Sequence, residues 1–233
     1  MLEIHGKSTA STTSLREACG DIRLGLRWGG PFRPGAVNGE VHLLNGLEQL
    51  QALQAANVAC PEFVTDPNTI NYNTDIWLAR KLNHTQGKDI IQAGQRFYRR
   101  RAWNNSDFYT KYIESQREWR LHIIKFARGY RCIGRSLKCF QYNPTSIPDI
   151  VIRSRRLGWH MQHDIEPPKG LRSIAKAACE AVGYELGAVD ILETGDTAQP
   201  FVVLEVNSRP ALRDNYTISA YAKALQQLAT ERN

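Results

Sequence analysis

Nothing in the 233-residue chain approaches the ~20 consecutive apolar residues that a membrane-spanning helix requires. The opening MLEIHGKSTASTTS lacks the apolar centre of a secretory signal, so the cytoplasm is the expected location. Cysteine is sparse and unpatterned. Cys19, Cys60, Cys132, Cys139 and Cys179 make an odd set of five with no CxxC pair. That argues against a disulfide framework and against a zinc site, and it predicts reduced, structural thiols. Of the six histidines only His160 and His163 stand at a ligand-like HxxH spacing, with no third ligand nearby. There is no internal repeat, no low-complexity tract, and no G-x-x-x-x-G-K-[ST] phosphate loop. No cysteine carries a nucleophile motif.

What is present is an ordinary globular composition, 42% hydrophobic and 23% charged, with a net charge of +7. The positive excess is clustered in RFYRRR (96–101), RSLK (135–138) and RSRR (153–156). Such runs are either solvated faces or contacts for an anionic partner, a nucleotide or a nucleic acid. The aromatic-basic mixture RFYRRRAW supports one reading as a nucleic-acid-binding protein without catalysis.

Residues 1–44 are weakly patterned and Gly-rich, and LGLRWGGPFRPGAVNG reads as short strands and turns. A helix is predicted over 45–58, with Asn45 as cap, Glu48 at capping-box spacing, and Leu47, Leu50 and Leu53 on one face. CPEFVTDP follows as an extended linker held open by Pro61 and Pro67. DIWLARKL reads as a strand that enters the polar loop NHTQGK and leaves through DIIQA, and FYTKYI reads as another strand. EWRLHIIKFA and YRCIGRSLK flank a hairpin turn. A helix over 170–183 ends at Gly183, two strands flank TGDTAQP, and an amphipathic helix closes the chain over 216–232. The class is α+β or α/β with mixed sheets.

The second of those late strands, FVVLEVN, carries Glu205 inside an apolar run. Strict alternation puts Phe201, Val203, Glu205 and Asn207 on one face, and Val202, Leu204 and Val206 on the core. A hairpin folded about Thr197–Ala198 sets Asp190 directly across from Glu205. Two adjacent carboxylates repel and are costly to bury. A hard divalent cation with oxygen ligands, such as Mg²⁺, relieves that cost, with Asp190, Glu205 and Asn207 as its ligands. The plainer alternative is a Glu paired with an Arg on an exposed face.

In EWRLHIIKFARGYRCIGRSLK, the residues Glu118, Arg120 and His122 share a face. With the turn centred on Arg128–Gly129, Arg135 is expected opposite His122. Such a face suits a site for phosphate or developing negative charge better than a core. Gly87 and Lys88 stand in a loop whose backbone N–H groups can cover phosphates.

These pieces come in a fixed order: basic strand, Gly loop, YTKYI, EWRLHI, helix, GAVDIL, VLEVNSRPAL. That order, over about residues 45–233, resembles the ATP-grasp superfamily of carboxylate–amine ligases. More narrowly it resembles compact ligases of phage genomes related to the ribosomal-protein glutamate ligases. The resemblance implies an α+β fold with two subdomains clasping a nucleotide. The expected divisions are a reduced N-terminal segment (1–65), a small subdomain (66–115) and a large subdomain (116–233). It implies ATP and Mg²⁺, one ion or two, together with a carboxylate and an amine substrate. Arg80, or the adjacent Lys81, is implied on the nucleotide phosphates, with Gly87 and Lys88 in the loop above them. Lys111, Tyr112 and Ile113 match the hinge strand at the adenine, and Glu118 the acid on the ribose. Arg120 is implied at the phosphate end, and Arg153 and Arg209 on the acyl phosphate or carboxylate. Asp190, Glu205 and Asn207 match the metal ligands. Arg80 and Thr110 depart from the family, which often has Lys and an acid at those places. The short first segment points towards a homodimer or a macromolecular substrate, nucleic acid included.

Overall fold

Two parallel strands open the chain in the computed structural model, which describes residues 2–6, 8–71, 74–82, 91–93 (backbone), 106–140, 153, 157–163 and 165–232. β1 (Leu2–Gly6) and β2 (Leu24–Trp28) pair from Leu2↔Leu24 to Gly6↔Trp28, with α1 (Ala10–Cys19) between them. The weakly patterned sequence placed no element on the residues of this helix. Its Ser/Thr-rich sequence has poor helix propensity. Reciprocal Thr9–Thr12 capping bonds start it, and burial of Thr12, Leu15 and Cys19 holds one face.

α2 (Gly46–Ala55) begins at the expected capping box. The Asn45 side chain accepts from Leu47 and Glu48 N–H, and Glu48 accepts from Asn45 N–H. The stretch after it is only partly a linker. β3 (Phe63–Val64) pairs with a later strand, and Pro67–Thr69 forms a 3₁₀ turn. β3, β4 (Trp77–Arg80), β5 (Ile91–Ala93) and β6 (Phe108–Lys111) form a small antiparallel sheet in the order β3-β6-β4-β5.

The large sheet has the order β11-β10-β7-β8-β9 and is antiparallel throughout. Its strands are β7 (Arg117–Phe126), β8 (Gly129–Phe140), β9 (Trp159–His163), β10 (Leu186–Glu193) and β11 (Phe201–Asn207). One face packs on α2 and α3 (Leu171–Ala181) through Trp119, Leu121, Ile123, Val189, Ile191, Val203 and Val206. The other packs, at the Ile124, Phe126 and Leu186 end, on β1, β2, α1 and α4 (Asn215–Arg232). The opposite end of that second face carries the polar residues.

Two register expectations are corrected by bulges. The β7–β8 turn is Ala127–Arg128, and the pairing shifts between His122 and Ile123. Gly134, not Arg135, therefore faces His122, and Arg135 falls opposite Leu121 on the other side. In β11 the pairing shifts so that Ile191 faces Val203 while Asp190 faces Glu205. The unpaired residue is Leu204. Such a bulge reverses the alternation on one side of it. Val203 consequently joins Val206 in the core, and Val202 shares the face of Glu205.

Candidate functional site

The pairings align one residue from each strand of the large sheet in a single row: Glu205, Asp190, Arg120, Ser136 and His163. Since paired residues share a face, a row of polar side chains crosses all five strands. Asp190 sits directly opposite Glu205, as the hairpin predicted. Asn207, two positions on, donates its amide to Glu205 Oε1 at 2.8 Å.

Asp190 is held by a planar fork. Arg120 Nε reaches its Oδ1 and Arg120 Nη2 its Oδ2, both at 2.6 Å. Lys138 completes a four-membered cluster, bonding Glu118 and standing 3.6 Å from Asp190. Asp190 and Glu118 are buried, and Lys138 nearly so. Burial raises the Asp190 carboxyl pKa, but Arg120 and Lys138 outweigh it and hold the group well below the usual carboxylate range. Burial likewise opposes the Lys138 charge, and Asp190 and Glu118 overcome it. Sequence reasoning did not single out Lys138, leaving RSLK open as a solvated face or a contact for an anionic partner. With the hairpin correctly registered, Lys138 falls across from Glu118, and that pairing is the signal that finds it.

Around the cluster the polar groups are tied to their neighbours. His122 Nδ1 meets the Tyr221 hydroxyl at 3.0 Å, and burial, with the Arg120 charge, pushes its pKa down to about 3. Ser136 Oγ meets His163 Nδ1 at 2.9 Å, and His163 Nε2 lies 3.2 Å from Asp214, whose carboxylate also caps α4 at Thr217. His160 and His163 lie on opposite faces of β9, so the HxxH spacing does not converge on a metal.

Across the cleft, the small sheet offers Arg80. It is 9% exposed, yet its Nε has no hydrogen-bond partner. Burial lowers its pKa, against the pull of Glu205 and Glu118. Arg80, Glu205, Asn207 and Arg209 line a cavity of about 550 Å³, together with Gly29 and with Asn45, Gly46, Glu48 and Gln49 at the start of α2. Gly29, at φ +69°, leaves room for the Arg209 side chain, since a Cβ there would stand 2.9 Å from Arg209 Cδ.

The fold of solved proteins fits this arrangement. The ligase PsnB, solved with a minimal precursor, Mg and ADP, superposes with a TM-score of 0.57 at 13% identity, over 80% of this chain and 59% of that one. The chain has the ATP-grasp fold. N5-carboxyaminoimidazole ribonucleotide synthetase from Thermotoga maritima gives 0.55 at 15% identity, over 81% of this chain and 49% of that one. VanG D-Ala:D-Ser ligase from Enterococcus faecalis gives 0.55 at 11%, over 81% and 60%. The chain therefore spans roughly half to three-fifths of the length of these ATP-grasp proteins. No protein-family model and no curated protein matches it.

The remaining expected residues lie as follows. Lys81 stands 3.6 Å from Asp107, and Lys111 pairs with Asp75 at 2.8 Å. Tyr112 N–H donates to the Ile76 carbonyl, and Ile113 follows it out of β6. Arg153 donates to the Ser115 carbonyl and lies over Trp159. Gly87, Lys88 and the run 96–101 lie outside the described residues, as does most of 153–156. Among the described residues no helix is long and apolar enough to cross a membrane.

The donor set fits a divalent ion of the Mg²⁺ type. Asp190 and Glu205 offer carboxylate oxygens and Asn207 an amide oxygen, from one face of two paired strands, with Glu205 and Asn207 lining the cavity. Among the described residues no cluster of three His, Cys, Asp or Glu forms a metal site. The third donor proposed here is an amide.

Proposed function

We propose that the chain is an ATP- and Mg²⁺-dependent ligase. It would activate a carboxylate as an acyl phosphate and join it to an amine, releasing ADP and phosphate. The observation that carries this reading is the facing of two charge systems: the Glu205–Asp190–Arg120 row, and the buried, incompletely bonded Arg80 across the same cavity. A buried guanidinium without full hydrogen bonding is costly, and an anionic ligand relieves the cost. A nucleotide triphosphate is such a ligand.

In this reading Arg80, with the adjacent Lys81 as the alternative, holds phosphate oxygens, and Gly87 and Lys88 cover them. Residues 111–113 present backbone groups to the base, and Glu118 takes the ribose. The three divisions 1–65, 66–115 and 116–233 supply substrate wall, small clasp and large clasp. Arg120, Arg153 and Arg209 neutralise the transferring phosphoryl group and the substrate carboxylate. Asp190, Glu205 and Asn207 would hold a divalent ion, which would supply neutralisation of phosphate charge. No protein nucleophile is required, because the carboxylate attacks the γ-phosphate and the amine then attacks the acyl phosphate.

The test incubates the protein with ATP, Mg²⁺ and a panel of amino acids, with and without nucleic acid. ADP release and a new amide mass are expected together, both lost in Glu205→Ala. ADP without any coupled product points to a kinase, and no ADP under any condition contradicts the reading.

A further inference from the structure

The acids that suit a cation are already occupied. Arg120 covers both oxygens of Asp190, and Lys138 bonds Glu118 and approaches Asp190. Arg80 acts on Glu205 and Glu118 from the other wall. The site thus sets three carboxylates, Glu118, Asp190 and Glu205, against the cations Arg80, Arg120 and Lys138, and Arg209 lines the same cavity. His122 adds no charge, being buried against Tyr221.

A divalent ion arriving alone meets two obstacles. Asp190 has to surrender at least one hydrogen bond of a bidentate pair, the strong class of such bonds. The ion also places two positive charges beside Arg120 and Lys138 in a poorly solvated site, where like charges repel strongly. A polyphosphate removes both obstacles, because its oxygens accept from the guanidinium and the ammonium as the acids turn to the ion.

We propose that Arg120 and Lys138 are displaceable stand-ins for the metal, so that a divalent ion enters this site effectively only together with a polyphosphate that takes both cations over. The proposal rests on the ligase reading for its metal site. It adds a residue, Lys138, and an order: nucleotide and ion bind as a coupled pair. Coupling of this kind is reciprocal, so the ion tightens the nucleotide by the factor by which the nucleotide tightens the ion.

The test uses Mn²⁺ as the probe on the full chain, with free ion followed by its electron paramagnetic resonance signal. The wild type should bind Mn²⁺ alone only weakly. Lys138→Met, which removes one stand-in, should bind Mn²⁺ alone at least ~10-fold tighter, by the removal of one adjacent like charge. Adding Glu205→Gln should cancel that gain, which assigns it to this site. Calorimetry of ADP with and without Mn²⁺ should show a coupling of at least ~10-fold in the wild type and a smaller one in Lys138→Met. If Lys138→Met does not fold, Lys138→Gln keeps a donor to Glu118 and carries the same expectation.

Tight binding of Mn²⁺ to the wild type without ADP would overturn the proposal. So would a folded Lys138 variant whose Mn²⁺ affinity is unchanged. Formation of ADP from ATP is a separate readout. A protein that couples Mn²⁺ to ADP but turns over no ATP contradicts the ligase reading and leaves this inference standing.

Discussion

The two sheets that face each other across the cavity treat buried polar groups in opposite ways. In the large sheet the row from Glu205 to His163 is internally bonded: Arg120 to Asp190, Lys138 to Glu118, Asn207 to Glu205, Ser136 to His163. In the small sheet Trp77 Nε1, Arg80 Nε and Thr110 Oγ are buried without a partner, and all the unpartnered buried side-chain atoms among the described residues are these three. Buried polar groups are normally satisfied, so a cluster of exceptions marks a place where something is missing. Arg80 and Thr110 share one face of the small sheet, while Trp77 lies on the other with Ala79 and Tyr109. The large sheet satisfies its polar row internally, whereas the small sheet leaves Arg80 and Thr110 unsatisfied on one face.

The contrast can be broken from either side, with effects of opposite sign. The largest is expected for Asp190→Ala, which leaves Arg120 and Lys138 buried without their shared acid. A loss of about 3–5 kcal/mol in urea unfolding is expected, the usual cost of breaking a buried pair from one side. Arg80→Met should do the reverse in the ligand-free protein. Removing a charge whose Nε is unpartnered should raise stability by about 1 kcal/mol while abolishing thermal stabilisation by ATP and Mg²⁺.

Acid sensitivity comes next. The unfolded His122 gains a proton below its ordinary ~6.5, whereas the folded group, pushed down to about 3 by burial, stays neutral. Between those values the unfolded chain binds more protons, so stability rises with pH across that window and is lost as pH falls through it. His122→Gln should flatten the pH dependence of the unfolding midpoint there. The Asp190 contribution has the same sign and is lost at still lower pH, below its ordinary carboxylate range. The most local effect is expected for Gly29→Ala. Its φ of +69° and the contact with Arg209 should cost about 1–2 kcal/mol and shift Arg209 in the cavity, read as weaker carboxylate-substrate binding.

Much of this was legible in the residues. The Asn45–Glu48 box announced α2, and the composition of the two late strands set Asp190 against Glu205. What escaped notice depended on bulges and on long-range packing. Leu204 looks like any strand residue, yet its bulge turns Val203 to the α2 and α3 side and Val202, still buried, to the face of Glu205. The shift at His122 carried Arg135 off the site face and left Ser136 and Lys138 on it. α1 was hidden because its Ser and Thr residues favour caps and turns, and its buried face appears only against β1 and α4. The His163–Asp214 contact joins β9 to the start of α4, a pairing that no local pattern encodes.

The central claim is that Arg80 and the acid row together make one nucleotide–metal site. Calorimetric titration of the non-hydrolysable analogue AMPPNP into the full chain tests it most directly. The account predicts one-to-one binding that requires Mg²⁺ and is lost in both Arg80→Met and Glu205→Gln. Binding that is indifferent to Mg²⁺, or that survives either substitution, would contradict it.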